Sequence, residues 1–154
     1  MKSEKSNIRW AIVSILFFAT AINYADRAVL SIAAPALAES RKLDSVSMGY
    51  IFSAFGWSYV ISQLPGGWLL DRFGSRRVYA FSLFIWSFFT FLTGFTGYLA
   101  GLSAVIVLFS LRFLLGIAEA PAFPANSRIS VAWFPTNETG TAAAIFNSAQ
   151  YFLW

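Results

Sequence analysis

Long uncharged runs separated by short charged clusters set the pattern of this chain. From Trp10 to Ala38 the apolar residues are interrupted by charge only at Asp26 and Arg27, and from Val46 to Leu70 no charged residue occurs. A transmembrane helix needs about 20 mostly apolar residues to cross a hydrocarbon core of roughly 30 Å, so each run predicts one crossing. The uncharged stretch from Val78 to Leu111 is too long for one crossing and carries Gly94, Gly97 and Gly101. It predicts a third helix, a tight turn and the opening of a fourth helix, which continues through Arg112, Glu119, Pro121 and Pro124 to about Phe134. A fifth run starts near Gly140 and reaches Trp154, rising only about 22 Å. The expectation is an all-α membrane protein with helices at about 10–38, 46–70, 78–98, 102–134 and 140–154. That is four full transmembrane helices and a truncated fifth, behind a short N-terminal segment, 1–9.

Composition agrees with this pattern and excludes the alternatives. Charged residues are 12% of the 154 and hydrophobic residues 58%, with a mean hydropathy of +0.64. Soluble domains carry about 25% charged residues, and disorder requires low hydrophobicity; both classes fall away. The absence of cysteine and histidine removes disulfides, thiolate or imidazole metal sites and the commonest general base. No metal and no cofactor is implied. The first run has basic residues before it but is too long for a cleaved signal peptide and contains Asp26 and Arg27, so a retained helix is expected.

Charge distribution gives the orientation. With the N-terminus cytoplasmic, Lys2, Lys5, Arg9, Arg72, Arg76, Arg77 and Arg128 lie inside, and only Arg41 and Lys42 lie outside. The net charge of +4 therefore sits on the cytoplasmic face. That favours anchoring against the anionic headgroups of a lipid bilayer over nucleic-acid binding, for which no basic stripe with stacking aromatics is present.

Four ionisable residues fall within the spans: Asp26, Arg27, Arg112 and Glu119. Each costs about 2.5 to 3.5 kcal/mol at the centre of a bilayer even on the lenient insertion scale. Their signs cancel, so pairing between the first and fourth helices is expected. Arg112 and Glu119 are two turns apart on one face, about 10.5 Å along the axis. Two readings stay open: an ion-pair cluster that fixes helix packing, or a polar cavity in which an arginine holds an anion and a carboxylate carries a proton. Tyr24, Tyr59, Gln63, Asn147 and Gln150 are further polar groups for such a cavity, or equally for helix interfaces. Pro121 and Pro124 should bend the fourth helix just past Glu119, and Gly116 with Ala120 forms a small-residue packing pair.

Between the second and third helices the chain reads Gly67-Trp68-Leu69-Leu70-Asp71-Arg72-Phe73-Gly74-Ser75-Arg76-Arg77. This resembles the signature loop of the major facilitator superfamily, Gly-x-Leu-x-Asp-Arg-x-Gly followed by basic residues. In physical terms Gly67 permits close packing, Gly74 turns the chain, and Asp71, Arg72, Arg76 and Arg77 stay at the cytoplasmic surface. The segments Ile22-Asn23-Tyr24-Ala25-Asp26-Arg27, Pro65-Gly66-Gly67-Trp68, Arg112 to Pro121 and Phe146 to Phe152 narrow the likeness. They resemble the anion:cation symporter branch, most of all bacterial glucarate/galactarate proton symporters. The resemblance implies the N-terminal part of a major-facilitator helical bundle in the bacterial inner membrane, co-transporting a sugar-acid anion with protons. It implies that Tyr24, Arg27, Tyr59 and Gln150 contact the anion, that Asp26 and Glu119 are the protonatable pair, and that Arg112 is a structural ion-pair partner of Asp26. Thr139 stands where the family usually has arginine.

Members of that family have twelve helices in two halves and bind substrate between them, so a missing C-terminal half is the expected partner. The alternative is a truncated membrane fragment that inserts without transporting. An intramembrane enzyme using Asp26 and Glu119 as acid and base is disfavoured, since no nucleophile, metal cluster or cofactor loop accompanies them.

Overall fold

The computed structural model describes the backbone of residues 4–153 and the side chains of residues 8–151. The expected helix end at Trp154, the charge at Lys2 and the Lys5 side chain lie outside the described residues. Among the described residues the chain is helical almost throughout and no strand occurs. The elements are α1 (Glu4–Arg41), α2 (Ser45–Phe73), α3 (Ser75–Gly94), a 3-10 turn (Phe95–Tyr98), α4 (Gly101–Glu119), α5 (Ala122–Trp133), α6 (Thr136–Ser148) and a closing 3-10 segment (Ala149–Leu153).

The helices α1 and α2 overrun the apolar runs that predict them, because hydropathy marks where hydrocarbon lies and not where helical hydrogen bonding stops. The end of α1 comes where Lys42 adopts φ 52 and Leu43 N–H donates to Ala38 O at 2.8 Å, a left-handed C-terminal cap. Two residues later the Asp44 carboxylate caps α2 by accepting from Ser47 N–H at 3.3 Å. Hydrogen bonding from Ser47, the largest influence, holds this carboxyl below the ordinary aspartate range. Gly74 then separates α2 from α3 with φ 83, a conformation in which a Cβ is strained.

The expected fourth helix is two. α4 stops at Glu119 and α5 starts at Ala122, because Pro121 has no N–H to offer the carbonyl of Ile117. The fifth helix begins at Thr136, not Gly140. Pro135 supplies its N-terminal boundary with φ −66, and Glu138 in its first turn complements the helix dipole.

Among the described residues, three helical stretches are long and apolar enough to cross a membrane: Ile8–Arg41, Ser75–Tyr98 and Gly101–Trp133. The 29 residues of α2 are long enough, but its serines, glycines and Gln63 make it less apolar than the other three. The exposed surface is suited to lipid. On α3, Phe81, Phe84, Phe88 and Phe91 stand exposed at alternating spacings of three and four, an apolar stripe larger than water-soluble surfaces carry.

The chain divides into two compact units. The first holds the chain up to Ile32 and everything from Asn126 onward. Its core is Val13, Phe134 and Ala142 with Ile145 packed alongside. Trp10 meets Phe134 edge-on at 5.4 Å, and Arg9 Nη1 lies 2.8 Å from Glu138 Oε2. Asn126 Nδ2 donates to Thr20 Oγ1 at 3.3 Å, both residues being buried. The second unit runs from Ala33 to Ala125, with α2 and α3 both packed along α4. Met48, Ile51 and Leu108 form its core beneath Ala34, Leu37, Ala38 and Leu43. At one end Arg41 Nη1 donates to Thr96 Oγ1 at 2.8 Å, joining the end of α1 to the 3-10 turn.

Candidate functional site

In the first unit, α1 places Tyr24 and Arg27 three residues apart, hence on one face. The Arg27 guanidinium carbon lies 5.2 Å from the centroid of the Tyr24 ring, within cation–π range. The Tyr24 hydroxyl donates to Gln150 Oε1 at 3.0 Å. That bond ties α1 to the closing 3-10 segment across 126 positions of sequence. All three side chains are partly buried. The group combines a guanidinium, which can grip a carboxylate with two parallel hydrogen bonds, with a phenol and an amide suited to hydroxyl groups. Asp26, also partly buried, leaves α1 about 100° around the helix from Arg27.

In the second unit, Arg112, Gly116 and Glu119 share one stripe of α4 with Ala104, Leu108 and Leu115, all buried. Arg112 is 7% exposed and Glu119 4%, so both charges are withdrawn from the lipid-facing surface. Gly116 explains how α2 approaches this stripe. A Cβ there would lie 2.7 Å from Phe55 O and 3.1 Å from Tyr59 N and would run into Ser58 Oγ. The missing side chain lets the backbone of α2 close on α4 at the turn that carries Tyr59. The Tyr59 ring stacks on Phe55 at 5.8 Å with 20° between planes. Two residues past Glu119, just beyond the end of α4, α2 comes close again where Gly66 abuts Pro121.

Tyr24, Arg27 and Gln150 are thus gathered in one unit. In the other, Arg112 and Glu119 share a stripe that passes the backbone of Tyr59. Gln63 is exposed and stands apart from this seam. The expectation that Gly67 serves close packing is corrected, since a Cβ there would meet nothing within 4 Å, whereas one added to the neighbouring Gly66 would come within 3.2 Å of Pro121 Cγ. Helix geometry accounts for the difference: adjacent residues point about 100° apart, and sequence alone does not choose between them. Asp71, Arg72, Arg76 and Arg77 are exposed, with the Arg72 guanidinium 5.4 Å from the Trp68 ring.

Two features escape a reading by charge and hydropathy. One is Arg41, counted only as an outside charge yet 8% exposed and hydrogen bonded to Thr96. The other is Ser82 on α3, 5% exposed, whose hydroxyl donates to Ala118 O on α4. Ser82 shares the apolar run Val78–Phe91 with Ser87, and nothing in the sequence tells the two serines apart.

The sequence profile of the major facilitator superfamily matches residues 16–152. Over 149 residues the chain is 60% identical to the probable galactarate/D-glucarate transporter of Bacillus subtilis (strain 168), covering 97% of this chain and 33% of that protein. It is also 60% identical over 151 residues to a probable galactarate/D-glucarate transporter of Escherichia coli (strain K12), covering 98% of this chain and 34% of that protein. Identity to the D-galactonate transporter of Escherichia coli O6:H1 is 41% over 143 residues, 93% of this chain and 32% of that protein. The chain spans about a third of the length of the curated relatives it matches.

Proposed function

Because the chain belongs to the major facilitator superfamily, we propose that it is the N-terminal portion of a secondary active transporter that co-transports a sugar-acid anion of the glucarate/galactarate type with protons. The relatives are named as transporters, two of them of galactarate and D-glucarate, which leaves the enzyme reading without support. The observation that carries the proposal is the grouping of Arg27, Tyr24 and Gln150 in a helical, apolar setting. Arg27 binds the substrate carboxylate; Tyr24, Tyr59 and Gln150 contact its hydroxyls. Asp26 and Glu119 carry protons, and Arg112 partners Asp26. The low exposure of Arg112 and Glu119 supports roles away from lipid, since ionisable groups within a membrane face bundle interiors or wet cavities.

The protein is a multi-pass membrane protein. We place it in the bacterial inner membrane with α2 as a further crossing and the N-terminus in the cytoplasm. The lysine and arginine distribution supports that orientation, and so does the Arg9–Glu138 ion pair, which joins two residues assigned to the same side.

The test replaces the corresponding region of the Bacillus subtilis relative with these residues and follows labelled glucarate in transport-deficient cells. Arg27→Ala should lower uptake at least about tenfold, as expected when a hydrogen-bonded charge loses its partner. Glu119→Gln should lose gradient-driven uptake but keep substrate exchange. Unchanged uptake in Arg27→Ala would overturn the anion-binding assignment, and unchanged gradient-driven uptake in Glu119→Gln would remove that residue from coupling. A second reading applies to a polypeptide of these 154 residues by itself. Alternating access needs one bundle to rock against another, so this polypeptide alone should insert without accumulating glucarate; robust accumulation would refute that.

A further inference from the structure

We propose that Ser82 is a positioning residue for Glu119, acting through the carbonyl of Ala118 at the point where α4 stops. A helix end leaves its last carbonyls without intrahelical partners. Here Gly116 O accepts from Ala120 N–H at 3.1 Å. Ile117 O would be served by residue 121, which is proline and has no N–H. The next carbonyl, Ala118 O, takes the hydroxyl proton of Ser82 from α3.

Ser82 departs from the habit of several other serines in these helices. Ser14, Ser110 and Ser130 donate to carbonyls four residues back on their own helix, and Ser53 and Ser58 to carbonyls three back, the usual choice of a helical hydroxyl. Ser82 donates to another helix, 36 positions away, from a site 5% exposed.

The consequence for Glu119 follows from peptide geometry. The carbonyl of Ala118 and the nitrogen and Cα of Glu119 belong to one planar unit. Holding that carbonyl fixes the plane from which the Glu119 side chain departs. From the other side, α2 presses Gly66 against Pro121 and its Phe55–Tyr59 turn against Gly116. The segment carrying Glu119 is thereby held by α2 and α3 where Pro121 offers Ile117 O no N–H. This inference rests on the proton-coupling role proposed above for Glu119.

The experiment has two arms. In the first, the 154-residue chain in lipid bilayers carries a 13C=18O label on the Ala118 carbonyl. Ser82→Ala should move its amide band to higher frequency, and Ser82→Thr should leave it in place; a band indifferent to Ser82→Ala overturns the hydrogen bond and the proposal. In the second, the chimeric transporter is scored by the ratio of gradient-driven uptake to substrate exchange. Ser82→Ala should lower that ratio up to about tenfold, the scale of one lost hydrogen bond. Ser82→Thr should restore it, and Ser82→Ala should add nothing to Glu119→Gln. Equal losses of uptake and exchange would make Ser82 a packing residue only and overturn the proposal. Absence of any uptake by the unsubstituted chimera would overturn the transport reading and the positioning role together, while the infrared arm would still report on the bond itself.

Discussion

At Gly116 an added methyl group meets two backbone atoms of one α2 turn, Phe55 O at 2.7 Å and Tyr59 N at 3.1 Å. Backbone cannot swing away as a flexible side chain can, so Gly116→Ala must push α2 and α4 apart. Overpacking of this kind costs about 1 to 3 kcal/mol. The same substitution at Gly67 or Gly140, where a Cβ meets nothing within 4 Å, should leave stability nearly unchanged. Unfolding followed by tryptophan fluorescence in detergent separates the two outcomes, and equal stability of Gly116→Ala and Gly67→Ala would contradict the close approach. Gly116 was legible in the sequence as half of a small-residue pair with Ala120, itself fully buried. The choice of Gly66 over Gly67 was not, because it depends on which way α2 is rotated about its axis.

The ends and breaks of the helices follow local chemistry closely. Pro121 interrupts the fourth predicted helix just past Glu119, as expected from its missing N–H, and Gly74 turns α2 into α3. The cap at Asp44 makes a pH prediction. Its folded carboxyl sits below the ordinary aspartate range through hydrogen bonding from Ser47. The capped carboxylate therefore favours the folded chain above the ordinary value near about pH 4, and the contribution is lost as pH falls through the lower folded value. Asp44→Ala should thus be less stable than the unsubstituted chain at neutral pH, with the difference shrinking in acid. A stability gap that persists when the carboxyl is protonated would show that the cap acts otherwise. Two boundaries were not foreseen although local chemistry sets them: the left-handed Lys42 that ends α1, and the start of α6 at Thr136 after Pro135 in place of Gly140.

Across the whole molecule, long apolar helices and an exposed aromatic stripe make a protein built for lipid. Because the chain contains no cysteine, single introduced thiols report topology without background. Ser75→Cys, at the start of α3 beside Arg76 and Arg77, should react with an impermeant maleimide only when the cytoplasmic face is accessible. Lys42→Cys, between α1 and α2, should react from the opposite side. Labelling of both from one side would refute the proposed orientation and the place of α2 as a crossing. Transport under the proposed function requires a second bundle to move against, which a chain spanning about a third of its relatives' length does not supply.

The sequence by itself determined the class of this protein, the proline and glycine positions near which its helices bend or turn, and the polar residues set into apolar spans. Those properties follow from the local cost of putting charge, proline or an unsatisfied backbone into hydrocarbon. Only the tertiary structure decided which glycine meets which neighbour, that Tyr24 reaches Gln150, that Arg41 is buried on Thr96 and that Ser82 serves another helix. Each of these depends on how helices are rotated and seated against one another. Many sequences with the same hydropathy pattern leave that rotation open, and the fit of individual side chains, worth fractions of a kcal/mol to a few apiece, selects among them.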